Sequence, residues 1–283
     1  MVGTTETRIP TGLGSFTEYW VVADDIPTGW IYFGGTSDFY RVPKAGGPVE
    51  DVEALAGLTS SQLGYEAVIV GAEIYAIEST TTGTMGHVWR ISTDGGLTWL
   101  VEDYATFPMA PNDDFRGATA IPSLGRIFLV TDDTSDTEIW SVPVGMSAPQ
   151  AATLELTVTG VGNCTGIARD DTYYYLACGS GERLGRVPVG GGAFEDITTT
   201  FDMSSSTNDV YGEDLDMDGT FDVLYVQSWY EEIYYVCDPA TATPFADLMV
   251  DVGGSSSNYG MGFDGDSSLY LVDDDNREII VVQ

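Results

Sequence analysis

One five-residue pattern recurs six times along the chain: FYRVP (39–43), VWRIS (88–92), IWSVP (139–143), LGRVP (184–188), IYYVC (233–237) and IIVVQ (279–283). The spacings are 49, 51, 45, 49 and 46 residues. Each copy follows a second apolar run: WIYFGG, EIYAIE, RIFLVTDD, TYYYLACG, DVLYVQSW and SLYLVDDD. A weaker strand comes before that run, as in GATAIP and NYGMGFDG. In the first five copies a turn and an outer strand follow, as in PVEDVEAL, LTWLVEDY and AFEDITTT. No stretch sustains a 3.6-residue apolar period, so almost no helix is expected.

A repeat in the forties with four strands per copy predicts an all-β, six-bladed β-propeller of four antiparallel strands per blade. The sixth copy reaches Gln283 after its third strand, so its fourth must come from elsewhere. The segment 3–10, GTTETRIP, precedes the first blade and is β-branched. It is expected to pair beside 279–283 and close the ring, leaving no long open sheet edge. The span 1–283 reads as one propeller domain, with no residues for a seventh blade. After the third strands, VPKAGGPV, VPVGMSAP and VPVGGGAF place Gly where tight turns need positive φ.

Hydrophobic residues make up 43% of the chain, enough for a packed core. The net charge is −34, from 44 acidic and 10 basic residues. Phosphate binding needs clustered Lys and Arg, so nucleic acid and anionic membranes are not expected partners. The acids are spread along the chain and fit a solvated, self-repelling surface suited to salty or calcium-rich water. There is no apolar run of 18 residues or more, and MVGTTETRIP lacks the apolar stretch of a signal peptide. Cys164 and Cys178 flank CTGIARDDTYYYLAC, which reads as a hairpin turning at Asp170 and Asp171. That turn sets the two cysteines almost opposite each other, either as a disulfide or as two buried thiols. Cys237 reads as a small core residue.

Residues 213–226 read EDLDMDGTFDVLYV. Asp214, Asp216, Asp218 and Asp222, with Gly219 after the third, are spaced to fold several oxygens around one hard cation. The expected ligands to Ca²⁺ are these four side chains and the carbonyl of Thr220. An EF-hand would need Glu at loop position twelve, where this chain has Tyr225. The loop resembles instead the calcium loop of integrin-type FG-GAP propeller repeats, which joins two strands of one blade. That resemblance implies bound calcium and an extracellular, periplasmic or cell-surface setting, because low cytosolic calcium would leave a weak site empty. The turns quoted above are similar to the W-x-V-P-x-G-G repeats of bacterial secreted propellers. STDGGLTW (92–99) is similar to the sialidase Asp box. The box implies that Asp94 accepts bonds from loop amides and Trp99 packs under the turn, away from any catalytic face.

Sialidase activity would need three clustered arginines and a Tyr/Glu nucleophile pair. Arg41, Arg90 and Arg186 instead share one register on different repeats and read as structural. The single histidine, His87, leaves no room for most His-dependent hydrolase arrangements and reads as a surface turn residue. The starts of the innermost strands, Glu18, Glu66, Arg116, Asn163, Asp209 and Asn258, are the expected pore lining. A ring of Glu, Asn and Asp oxygens there resembles the metal site of gluconolactonase and paraoxonase-like propellers. It implies a metal that polarises a lactone or ester carbonyl while a carboxylate activates water. NCTGIARDD departs from that family's Asn-Gly-Ile strand, because Asn163 lies three residues before Gly166.

The sequence therefore reads as a calcium-stabilised, monomeric binding module for a small molecule, a carbohydrate or a protein. Trp229 and Tyr230 would be available to stack on a sugar. The alternatives are a pore-metal lactonase or esterase, and a structural module of an envelope protein. Fold alone does not choose among them.

Overall fold

The computed structural model describes residues 5–14, 20–24, 29–59, 62–78, 85–93, 98–108, 115–131, 135–178, 183–198, 207–228, 232–242, 244–251, 260–264, 268–273 and 276–283. Strand β1 (Glu6–Pro10) precedes the first blade. Blade one is β2 (Trp20–Ala23), β3 (Trp30–Gly34), β4 (Phe39–Pro43) and β5 (Glu50–Asp51). Blade two is β6 (Glu66–Val70), β7 (Glu73–Glu78), β8 (Met85–Thr93) and β9 (Trp99–Pro108). Blade three is β10 (Phe115–Ile121), β11 (Arg126–Thr131), β12 (Asp136–Pro143) and β14 (Thr153–Thr159). The short β13 (Gln150–Ala151) leaves that blade and adds to blade two as a fifth, parallel strand beside β9. Blade four is β15 (Cys164–Arg169), β16 (Tyr173–Cys178), β17 (Arg183–Pro188) and β18 (Glu195–Asp196). Blade five is β19 (Thr207–Glu213), β20 (Val223–Ser228), β21 (Glu232–Cys237) and β22 (Phe245–Asp251). Blade six is β23 (Met261–Phe263), β24 (Leu269–Asp273) and β25 (Glu278–Val282), completed by β1.

Each first strand lies against the first strand of the next blade, and β23 meets β2. The chain is thus an all-β, six-bladed propeller. Its ring closes where β1 pairs antiparallel with β25, from Glu6 opposite Val282 to Pro10 opposite Glu278. Thr5 and Gln283 extend the pairing with backbone bonds of 2.8 and 3.0 Å. The recurring pentapeptides are the third strands. The apolar runs before them are the second strands, buried on both faces between neighbouring blades. That explains why EIYAIE and YYYLAC run apolar without alternation.

The core is a series of apolar layers between blades. Val21, Phe33 and Val42 of blade one meet Tyr270, Val272 and Ile279 of blade six. Between blades two and three, Tyr75, Ile77 and Phe107 meet Phe115, Ile127 and Leu129. Each such side chain, when fully buried, contributes roughly 1.5–3 kcal/mol.

The three arginines in one register all pair with a glutamate directly across on the fourth strand. Arg41 bonds Glu50 at 2.6 and 2.8 Å, and Arg186 bonds Glu195 at 2.9 Å. Arg90 bonds Glu102 in the same way. Arg90 also donates to the carbonyl of Met146 in blade three (2.8 Å), and Arg186 to that of Pro239 in blade five. Arg41 lies over the rings of Trp30 and, from blade two, Trp99. The arginines thus link blades and form no anion-binding cluster.

Cys164 and Cys178 face each other in register across β15 and β16 and form a disulfide with an S–S distance of 2.03 Å. Cys237 is a free, half-buried thiol. One local feature departs from the sequence reading. The stretch PVEDVEAL holds only a two-residue strand, then the single-turn helix α1 (Val52–Ala56). Asp51 caps it by accepting from the Ala54 amide at 2.9 Å, and Gly57 ends it in a left-handed conformation. Among the described residues no helix is long and apolar enough to cross a membrane.

Candidate functional site

Near the axis the inner strands pack so tightly that side chains are excluded at some joints. A Cβ on Gly117 would lie 2.5 Å from the Thr165 carbonyl oxygen, and one on Gly166 would lie 2.7 Å from the Cα of Asp209. Blades three, four and five are therefore drawn together at the backbone. On the other side a cavity of about 490 Å³ opens, lined by residues of β2, β6, β10, β19 and β23. Much of its wall is aliphatic, including Val22, Ala67, Val210 and Met261, with Tyr211 and Phe263 adding aromatic rings.

Two electrostatically coupled carboxyl groups, Glu66 and Asp209, line this cavity. Glu66 opens β6 and is 7% exposed. Its Oε1 accepts from the Ala67 amide at 2.9 Å. Asp209, in β19, accepts from the Val210 amide at 2.8 Å and from the Met261 amide of blade six at 3.3 Å. Burial pushes the Asp209 carboxyl up to about 7, against the pull of those two amides. Burial, and then the charge of Asp209, holds Glu66 well above the usual carboxylate range. The pair therefore resists carrying two negative charges at neutral pH. It can keep a proton or accept a cationic group.

The other pore candidates separate from this pair. Arg116 is half-buried in β10, stacked 3.9 Å over the ring of Tyr65, and is not in the cavity wall. Asn163 is half-buried just before β15, in a left-handed conformation (φ 56°), and is also outside the wall. Glu18 and Asn258 lie outside the described residues, as do Asp94 of the Asp-box segment and Trp229 and Tyr230. Trp99 is half-buried and packs against the core between blades one and two. His87 is in strand β8, not in a turn; it contacts Asp103 at 3.1 Å and stacks on Trp89. Tyr211, Phe263 and Asp264 line the cavity without having been singled out from the sequence. Tyr211 follows Asp209 by two residues on the same strand face, which is the signal that could have found it.

The second candidate site is the acidic loop between the first and second strands of blade five. Asp214, Asp216 and Asp218 each bring a carboxylate oxygen within 4.8 Å of the others. Asp214 accepts from the Gly219 amide (2.9 Å) and Asp218 from the Thr220 hydroxyl (2.6 Å). Asp222 ties the loop's start by accepting from Leu215 (2.7 Å) and Asp216 (3.3 Å), and it is not grouped with the other three. Gly219 is required here. Its φ is 94°, and a Cβ would meet the Asp171 carboxylate of blade four at 2.5 Å. Blade four also braces the loop through Asp171 N to the Gly219 carbonyl (2.8 Å) and Asp170 to the Phe221 amide (3.1 Å). Asp216 is raised by partial desolvation and by the charges of Asp218, Asp222 and Asp214, whereas the Thr220 bonds lower Asp218. Mutual repulsion in such a loop is relieved by a cation.

The fold and the axial cavity define this chain as a six-bladed propeller with an acidic central pocket. No protein-family model matches the chain, and no curated protein matches it. Among solved structures it is similar to virginiamycin B lyase from Staphylococcus aureus (12% identity, 99% of each chain covered, TM-score 0.64). It is also similar to the PQQ-bound aldose sugar dehydrogenase from Streptomyces coelicolor (14% identity, 100% of this chain and 99% of that one, TM-score 0.65). A third is an auxiliary nutrient binding protein from Bacteroides ovatus (12% identity, 99% of this chain and 76% of that one, TM-score 0.66). At such identities the likeness shows the fold alone.

Proposed function

We propose that this chain is an extracytoplasmic ligand-binding propeller whose ligand sits in the axial cavity and whose 214–222 loop binds a structural Ca²⁺. The observation that carries the reading is the cavity of about 490 Å³ holding the Glu66 and Asp209 carboxyls. Small-molecule sites are concave and set a few convergent polar groups among apolar side chains; this wall mixes the two about evenly. The disulfide supports an oxidising compartment. The charge of −34 argues against nucleic acid as a partner. A small molecule taken up by a monomer fits better than a carbohydrate or protein held at the outer surface. The pore-metal esterase reading draws on the same two carboxyls. It is less well supported, because Asn163 does not join them in the wall.

A thermal-shift screen of small metabolites should yield compounds that raise Tm. Hydrogen exchange with those compounds should then show protection in β6, β19 and β23. Protection confined to the outer strands, or no stabilising compound at all, would overturn the cavity reading.

The calcium loop is tested separately. A ligand that binds only the folded state at a hundredfold excess over Kd stabilises it by about 2.7 kcal/mol. Millimolar calcium should therefore raise Tm by roughly 5 °C over EDTA. Asp216→Ala should abolish the difference. Superimposable melts of the unaltered chain in calcium and EDTA would count against the site.

A further inference from the structure

We infer that the axial cavity takes a small organic cation, an alkyl- or arylalkyl-ammonium, with its charged nitrogen on Glu66 and its apolar body against Tyr211, Phe263 and the aliphatic wall. This rests on the cavity reading above and names the ligand class.

The first ground is the state of Glu66. It is 7% exposed and faces the cavity. Its Oε1 takes the Ala67 amide, whereas its Oε2 has no hydrogen-bond partner among the described residues. That oxygen opens to the cavity, where a ligand N–H⁺ can donate to it in a charge-assisted bond. Beside it, both oxygens of Asp209 already accept backbone amides. Asp209 therefore adds negative potential rather than a free ligand atom.

The second ground is what the wall lacks. No Lys, Arg or His is among its described residues. A third acid on the wall, Asp264, is matched by Lys44 at 3.1 Å and by the Tyr270 hydroxyl at 2.9 Å. Among the described residues Glu66 and Asp209 have no such cation, so the uncompensated charge is focused at one point of the cavity. The overall charge of −34 steers cations toward it.

The third ground separates an ammonium from a metal ion. Calcium wants six to eight oxygens. Among the described wall residues Glu66 brings one carboxylate oxygen without a protein donor, Asp209 has both of its oxygens on amides, and Asp264 is paired with Lys44. The rings of Tyr211 and Phe263 lie 4.9 Å apart, tilted by 42°, and present faces suited to an aryl group or to a cation–π contact. A compact metal ion would use neither the volume nor these rings.

The test uses calorimetric titration of the full chain, in calcium, with phenethylammonium chloride, 2-phenylethanol and 3-phenylpropanoate. These probes share a body and differ in charge. The amine should bind at least about tenfold more tightly than either of the others. Glu66→Gln keeps the Oε1 acceptor for Ala67. It should weaken the amine at least about tenfold and leave the alcohol unchanged, with a melt no lower than that of the unaltered chain. Equal binding of the alcohol or the acid would overturn the inference but leave the cavity reading standing. Unchanged amine affinity in Glu66→Gln, displacement of the amine by added calcium, or no amine binding up to about 10 mM would also overturn it. Amine binding without protection of β6 and β19 in hydrogen exchange would instead sink the cavity reading.

Discussion

Asp209→Asn is expected to lose most of the stability penalty that the unaltered chain develops as pH rises from about 4 to about 7. The sign follows from linkage. The Asp209 carboxyl sits at about 7 in the folded state, well above its ordinary value in the unfolded chain. In that window the folded state binds more protons than the unfolded one, so stability falls with rising pH and levels off above about 7. At about 1.4 kcal/mol per pH unit the penalty is on the order of 4 kcal/mol, or roughly 8 °C in Tm. Asn cannot ionise and removes it. Asn also loses an acceptor for the Met261 amide, which costs about 1 kcal/mol at every pH and so does not alter the slope. Glu66 stays raised by its own burial, so a residual slope in the same direction remains. The measurement is Tm against pH for both proteins in calcium. Above pH 7 the variant should melt several degrees higher than the unaltered chain, and near pH 4 slightly lower. Parallel curves would show that Asp209 titrates normally and that the axial pair is not desolvated.

Removing residues 1–11 should cost on the order of 5 kcal/mol, about 10 °C in Tm, although only one of these side chains lies in a described apolar layer. That residue is Ile9, 6% exposed, packed with Val281 and with Val21 and Phe33 of blade one. Its burial is worth about 2 kcal/mol. Arg8 reaches the fully buried carboxylate of Asp273 at 3.0 Å. Arg8 is itself exposed, so the pair is only half-buried, and leaving the buried Asp273 carboxylate without it costs about 2–3 kcal/mol. The low end applies, because the Asn276 backbone and side-chain amides also hold Asp273, each at 2.9 Å. Truncation further bares the edge of β25, so light scattering should show concentration-dependent association. A peptide of residues 1–11 added in trans should restore both melt and monodispersity. A truncated chain that melts within about 2 °C of the original would refute the closure energetics.

The blade frame was legible because blade-to-blade burial writes itself into composition. Second strands covered on both faces must be apolar at nearly every position, and six such runs at one period admit few arrangements. Glu66 and Asp209 were legible for the same reason, since the repeat places them on the innermost strands. Asn163 was not, because it sits in a left-handed turn before β15, where strand register carries no information. Arg116 found its partner in Tyr65 of blade two, a contact across blades that one repeat cannot encode. Helix α1 is a single turn, too short to show a period. The acidic loop was legible as spacing, but the separate task of Asp222, which holds two amides, needed the folded backbone.

The fifth strand of blade two has a mechanical meaning. By pairing beside β9, β13 makes one continuous hydrogen-bonded seam between the second and third blades. Arg90, reaching the Met146 carbonyl close by, acts as a rivet on that seam. Arg186 rivets blade four to blade five. Lys44 of blade one does the same for blade six through Asp264. The sixth blade is held shut by chain segments from opposite ends of the sequence. The clasp itself lies at the outer edge of blade six, with β25 and β24 between β1 and the β23 wall of the cavity, so the ring is closed without the clasp entering the binding space.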